Sequence, residues 1–170
     1  MKAIILHAHG GPELFRIEDR PKPEIKPGHV LIRVAASSVN PVDFKIRQGL
    51  IPIGPELPGI LHGDMSGTVE EIGEGVEGFT EGDEVYGCIG GFKDLPGVLA
   101  DYALADARLL ARKPTNLSMI EAAALPLVTI TAWNALMDRA QVSEGQRVLV
   151  HAAAGGVGHI ALQLAKAAGA

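Results

Sequence analysis

A chain of 170 residues, 47% hydrophobic and 21% charged, has the make-up of a globular protein and is neither disordered nor fibrous. Its formal charge of -5 at neutral pH is spread along the chain without a Lys/Arg-rich run, so it lacks the electrostatic footprint of a nucleic-acid binder. The single cysteine, Cys88, makes neither an internal disulfide nor a four-cysteine zinc site, and it points to a reducing, cytoplasmic compartment.

The opening MKAIILHAHGG carries an apolar run too short for a signal sequence. The uncharged stretches 122–137 and 148–165 are broken by Pro126, Asn134, Gly155 and Gln163. They fall short of the roughly 20 apolar residues that span a bilayer, so both read as buried core, and no membrane partner is expected.

Up to about Arg112 the chain reads as short strands between Gly and Pro clusters, at 2–6, 14–18, 30–35, 68–72, 84–87 and 98–104. Alternating or β-branched apolar residues at this spacing predict a small, largely antiparallel barrel. Pro21, Pro23 and Pro27 lack the N–H groups a central ladder needs and mark a loop before the third strand.

After Ala35 the run SSVNPVDFKIRQG spells a short helix: Asn40 as N-cap, Pro41 at the first helical position, Asp43 near the positive end and Gly49 as the stop. That local role accounts for Asn40, Pro41 and Gly49 but not for Lys45 and Arg47, which are either solvated cations or functional ones. In the next stretch Gly73, Gly75, Gly78 and Gly82 supply turns between strands. His62 and Asp64 stand close enough to suggest metal ligands, but without a third ligand they read as ordinary polar residues.

From Lys113 the pattern turns helical. Ser118 and Glu121 form a capping box, and Pro126 closes that helix and opens another running through Trp133 to about Asp138. A buried strand at 148–151 then leads into a turn of pattern A-x-x-G-x-x-G on Ala152, Gly155 and Gly158, followed by a helix from about Gly156. Small residues there let backbone approach a pyrophosphate, and the helix N-terminus offers N–H groups and a positive dipole end. The other reading is a plain tight turn. The residue that separates NAD from NADP falls about 20 positions further on, past Ala170. One strand and one helix cannot cover their own apolar faces, so either a longer protein or a dimer is expected to cover them.

Four segments in order, SVNPVDFKIRQG, GTVEEIGEGVEGFTEGDEVYG, AAALPLVTITAW and VLVHAAAGGVGHIALQLAKAAGA, resemble the medium-chain dehydrogenase/reductase superfamily in its zinc-independent quinone oxidoreductase and enone reductase branch. The resemblance implies an α/β fold with a β-barrel. A GroES-like catalytic domain would occupy 1–117, and the first, incomplete part of a doubly wound Rossmann domain 118–170, with cofactor and substrate in the cleft between. It implies hydride transfer from NADPH to a quinone or an α,β-unsaturated carbonyl, and a homodimer.

The zinc-ligand positions of relatives correspond here to Asn40, Gly63 and Leu127, none a plausible ligand, so no metal is implied. By position, Ala153, Ala154, Gly155, Gly156 and Val157 would line the pyrophosphate and the back of the nicotinamide, and Thr131 would hold the nicotinamide end. Asn40 would face the cleft. Lys45 follows Asp43 where many quinone reductases carry Tyr, as in the alkenal and enone reductases. Lys45, with Asn40, would polarise the acceptor or anchor the cofactor ribose. Two further readings stay open: a structural or regulatory NADPH binder without turnover, and a GroES-like interaction module.

Overall fold

The computed structural model describes all 170 residues, which fall into two compact units, Met1–Ala124 and Leu125–Ala170. The first unit contains strands β1 (Lys2–Leu6), β2 (Phe15–Asp19), β3 (His29–Ser37), β4 (Gly59–Ile60), β5 (Asp64–Ile72), β6 (Glu84–Cys88), β7 (Tyr102–Asp106) and β8 (Ala111–Arg112). Helix α1 (Pro41–Arg47) follows β3, and helix α2 (Met119–Ala123) ends the unit.

The strands form two antiparallel sheets, β2-β1-β4 and β7-β3-β5-β6-β8. Residues 98–101 stitch them together: Ala3 bridges Ala100, and the Ile4 N–H donates to the Leu99 carbonyl at 2.7 Å. Inward residues of the larger sheet, Val30, Ile32, Met65, Val69, Val85, Ala103 and Ala105, make the main core. Each fully buried Val, Ile or Met side chain of that core contributes about 1.5–3 kcal/mol. The β3–β5 register slips between Val34 and Ala36. Nearby, a Cβ on Gly67 would lie 2.4 Å from the Arg33 carbonyl oxygen, so any side chain there would push the two strands apart.

Two strands differ from the sequence reading for a common reason. The ladder expected from Val98 starts at Tyr102, because residues 98–100 spend their backbone elsewhere: the Val98 N–H donates to the Leu61 and His62 carbonyls, both at 3.0 Å. β5 begins at Asp64 rather than Thr68, since buried Asp64 and Ser66 find partners inside the fold: Asn40 and Ser38 donate to Asp64, and Ser66 Oγ donates to the Met119 carbonyl at 2.7 Å.

α1 starts as its residues predict. Asn40 is extended (φ -107°, ψ 159°), Pro41 takes the first turn, and the Asn40 N–H donates to Asp43 Oδ2 at 2.6 Å. α1 packs through Ile46 on Leu6 and Leu61. The capping box of α2 is formed: the Ser118 N–H donates to Glu121 Oε2 at 2.8 Å and the Glu121 N–H to Ser118 Oγ at 3.3 Å. These bonds hold the Glu121 carboxyl below its ordinary range. α2 packs on β3, β5 and β6.

In the second unit α3 (Pro126–Trp133) runs on into a π-helical segment, Asn134–Arg139, and packs against α4 (Gly156–Ala167). Ala132, Leu136, Ala161 and Ala165 form its core, with Val148 and Val150 packed against them. The strand expected at 148–151 is not formed as a ladder. Val148 and Val150 turn inward while Leu149 is 82% exposed, so the alternation of a strand is present but no neighbouring strand supplies its hydrogen bonds. No helix is long and apolar enough to cross a membrane.

Candidate functional site

The first unit gathers a polar cluster where α1, β5 and β6 meet. Asn40, Asp43 and Asp64 are all buried, although nothing in their local sequence requires it. The Asn40 side chain donates to Asp64 Oδ2 at 2.8 Å, and Ser38 Oγ donates to the same oxygen at 3.2 Å. Asp43 accepts from the Asn40 N–H and returns its own N–H to the Asn40 carbonyl at 2.9 Å. Asn40 therefore ties two buried carboxylates together, one through its side chain and one through its backbone.

The electrostatics follow from burial. Asp43 is raised above the ordinary carboxylate range chiefly by desolvation, and the bond from the Asn40 backbone and the charge of His62 only partly offset this. His62 is lowered by burial, against the Asp43 charge, which favours the imidazolium. The Cys88 thiol is pushed up to about 12 by burial, then by the Asp64 charge and the hydrogen bond to it, so it stays protonated and unreactive. His62, which reads as an ordinary polar residue in the sequence, has a left-handed backbone (φ 68°) and a covered ring Nδ1 without a hydrogen-bond partner. The residue type gives no sign of either.

Lys45 and Arg47 separate in the structure. Arg47 is structural: its guanidinium donates to the Gly10 carbonyl, and its own carbonyl accepts from the Gly10 N–H at 2.9 Å. Lys45 is exposed, while Asp43, two residues earlier on α1, is buried. At 100° per residue these side chains leave opposite faces of the helix, so Lys45 is not brought into the Asn40 cluster.

In the second unit the turn before α4 is built by close approach. Ala152 is left-handed (φ 53°), and its carbonyl accepts from the Gly155 N–H at 2.9 Å. A Cβ on Gly158 would stand 2.3 Å from the Ala152 carbonyl oxygen, whereas one on Gly155 would stand 3.2 Å away. Gly158 thus closes the turn internally, and Gly155 and Gly156 face solvent. No side chain caps the α4 N-terminus. The first-turn N–H groups of a 12-residue helix are therefore left for an anion. Of the residues expected to line a pyrophosphate, Ala153, Ala154 and Gly155 end the turn, and Gly156 and Val157 begin α4. Thr131 is exposed on α3, and its hydroxyl donates to the Leu127 carbonyl at 2.7 Å, which leaves its oxygen free to accept.

The family model described as the alcohol dehydrogenase GroES-like domain matches residues 26–115. The chain is 42% identical to the 2-methylene-furan-3-one reductase of Solanum lycopersicum and 40% identical to the NADPH-dependent alkenal/one oxidoreductase, chloroplastic, of Arabidopsis thaliana. In both cases the match covers 98% of this chain and 44% of the relative. It is 37% identical to the quinone oxidoreductase of Homo sapiens, over 99% of this chain and 50% of that one. Among solved structures, an alcohol dehydrogenase superfamily protein from Novosphingobium aromaticivorans superposes with a TM-score of 0.95 at 47% identity, covering 99% of this chain and 51% of that one. The chain spans about half the length of the curated relatives it matches. From the matched domain and the architecture that carries it, the chain belongs to the alcohol dehydrogenase GroES-like domain family, within the medium-chain dehydrogenase/reductase superfamily.

Proposed function

We propose that the protein is an NADPH-dependent oxidoreductase that reduces a quinone or an α,β-unsaturated carbonyl without catalytic zinc. The observation that carries this reading is the uncapped, glycine-lined N-terminus of α4, in a chain 37–42% identical to reductases whose names specify such acceptors. In this reading residues 1–117 form the catalytic GroES-like domain and 118–170 open the nucleotide-binding domain. The protein acts in the cytoplasm, as a homodimer.

NADPH, when bound, supplies the hydride. The chain's own residues bind, orient and hold charge. Ala153, Ala154, Gly155, Gly156 and Val157 line the pyrophosphate, whose oxygens meet the N–H groups of the first α4 turn, helped by the α4 dipole. The Thr131 oxygen accepts from the nicotinamide end. Lys45 offers an ammonium to the oxygen on which negative charge develops, or to the cofactor ribose. Asn40 positions the start of α1 by tying it to Asp64. The zinc positions of relatives hold Asn40, Gly63 and Leu127, a set with no metal-binding side chain, so charge on the acceptor oxygen is met by N–H donors.

Steady oxidation of NADPH, followed by nicotinamide absorbance on adding a simple quinone and then a simple enone, tests the reading. Turnover with either acceptor supports it. Binding of NADPH without oxidation would identify a non-catalytic binder instead.

A further inference from the structure

α1 is anchored at both ends. At its start the Asn40 side chain is tied to Asp64. At its end the Arg47 guanidinium donates to the Gly10 carbonyl, and the Gly10 N–H donates to the Arg47 carbonyl at 2.9 Å. A half-buried guanidinium thus spends its charge on a backbone carbonyl of the loop after β1. That loop is itself fixed, because Leu14, four residues beyond Gly10, packs with Leu6, Ile46 and Leu61.

Between the anchors the helix stops in a closed turn. Gly49 is left-handed (φ 74°). Its N–H donates to the Ile46 carbonyl and the Leu50 N–H donates to the Lys45 carbonyl, both at 2.9 Å, the paired bonds of a glycine-terminated helix. The loop that receives Arg47 also backs this turn: a Cβ on Gly49 would lie 3.0 Å from Cγ of His9. Lys45 is the residue so held. Its carbonyl takes the closing bond, and its exposed side chain leaves the face away from Arg47, since two residues turn a helix by about 200°.

We propose that Arg47 is a positioning residue for the reduction: by clamping the last turn of α1 to the loop after β1, it fixes where the Lys45 ammonium stands. This rests on the oxidoreductase reading above and on the place of Lys45 in it. Arg47 itself touches neither acceptor nor cofactor. A donor fixed in advance where charge develops needs no rearrangement during the reaction, and a misplacement of about 1 Å costs on the order of a hundredfold in rate. A cation at a helix C-terminus also steadies the helix through its dipole. That contribution is indifferent to Lys45, so the two roles differ in what removing Lys45 changes.

The test uses the full chain with Arg47→Met, which keeps most of the stem and removes the donors, alone and combined with Lys45→Ala. NADPH titration and enone turnover give cofactor affinity, kcat and KM. Arg47→Met should lower whichever of these Lys45→Ala lowers, by about fivefold or more, and should lower it no further once residue 45 is alanine. Arg47→Lys, which returns one donor, should recover part of the loss. The unfolding temperature should fall equally with and without Lys45. A second readout needs no turnover: the Leu50 N–H, bonded to the Lys45 carbonyl, should exchange with solvent about tenfold faster or more in Arg47→Met, while the Asp43 N–H at the other end of α1 keeps the parent rate. Should Arg47→Met fail to fold, Gly49→Ala takes its place: it presses a methyl onto the His9 ring at a left-handed position and should show the same dependence on Lys45. Unchanged kinetics, a loss of the same factor in the Lys45→Ala background, or an unchanged Leu50 exchange rate would overturn the proposal. A parent that oxidises NADPH with no acceptor would overturn the oxidoreductase reading, and Lys45→Ala with parent kinetics would overturn the role of Lys45. Either result removes this proposal too, and each shows without any change at Arg47.

Discussion

The side-chain amide of Asn40 donates to the Asp64 carboxylate at 2.8 Å, and both residues are buried. One residue at the start of α1 therefore answers a charge on β5, which links the helix that carries Lys45 to the sheet. Asn40→Ala removes that donor from a buried carboxylate and should cost about 1–3 kcal/mol. Asn40→Asp should cost more at neutral pH, because it adds a third carboxylate beside Asp43 and Asp64, and should recover in acid. Chemical denaturation of both variants at two pH values checks this.

The pH dependence of stability follows from two opposite shifts. Asp43 has a folded pKa above its ordinary 3.8, so its contribution is fully present below that value and is lost as pH rises through the raised one. His62 has a folded pKa below its ordinary 6.5, so its contribution is present above 6.5 and is lost as pH falls through the lowered one. Asp43→Asn should flatten the loss on the rising side, and His62→Gln the loss on the falling side. Unfolding temperatures between about pH 4 and 8 would separate them, and a variant with the parent's full profile would remove that group from the balance.

The glycines of the α4 turn divide into one that packs and one that binds. Gly158→Ala drives a methyl onto the Ala152 carbonyl and the Ala153 Cα, at 2.3 Å and 2.7 Å, both backbone, and should cost about 1–3 kcal/mol. Gly155→Ala meets only the Ala152 carbonyl oxygen at 3.2 Å, so stability should change by less than about 1 kcal/mol. The same variant should weaken NADPH binding at least tenfold, about 1.4 kcal/mol, since the added methyl stands where backbone must meet pyrophosphate. Paired unfolding and cofactor titrations read the two effects separately.

Lys45 is exposed on α1, so Lys45→Ala should leave stability within about 0.5 kcal/mol. Turnover or NADPH affinity should nonetheless fall at least tenfold, about 1.4 kcal/mol. Unchanged kinetics would return Lys45 to the ordinary solvated surface.

What could be read from the residues was what is local. Asn40-Pro41 and the Ser118/Glu121 pair announce their helices because N-caps bond within three residues. β1 matches the reading, and β2 and β6 match it to within a residue, because alternation between turn clusters is also a short-range signal. The two-residue strands β4 and β8 are too short to show a period. The ladder start at Tyr102 depends on what Val98 to Ala100 meet elsewhere. The burial of Asp43 and Asp64 was not legible for the same reason, since each is answered by another segment. His62 is the extreme case: its backbone is set by Gly91 and Val98, about 30 residues away in sequence or more, and no pattern around it signals a left-handed residue. At 148–151 the alternation was legible, but a ladder needs a second strand.

The most direct measurement is the fate of a label. An enone would be reduced by the full chain with NADPH carrying deuterium at the transferable position of the nicotinamide, and the product examined by NMR. Deuterium on the β-carbon, with solvent hydrogen on the α-carbon, is the predicted result. An unreduced enone beside intact labelled NADPH, or product with solvent hydrogen at both carbons, would contradict hydride transfer by this protein.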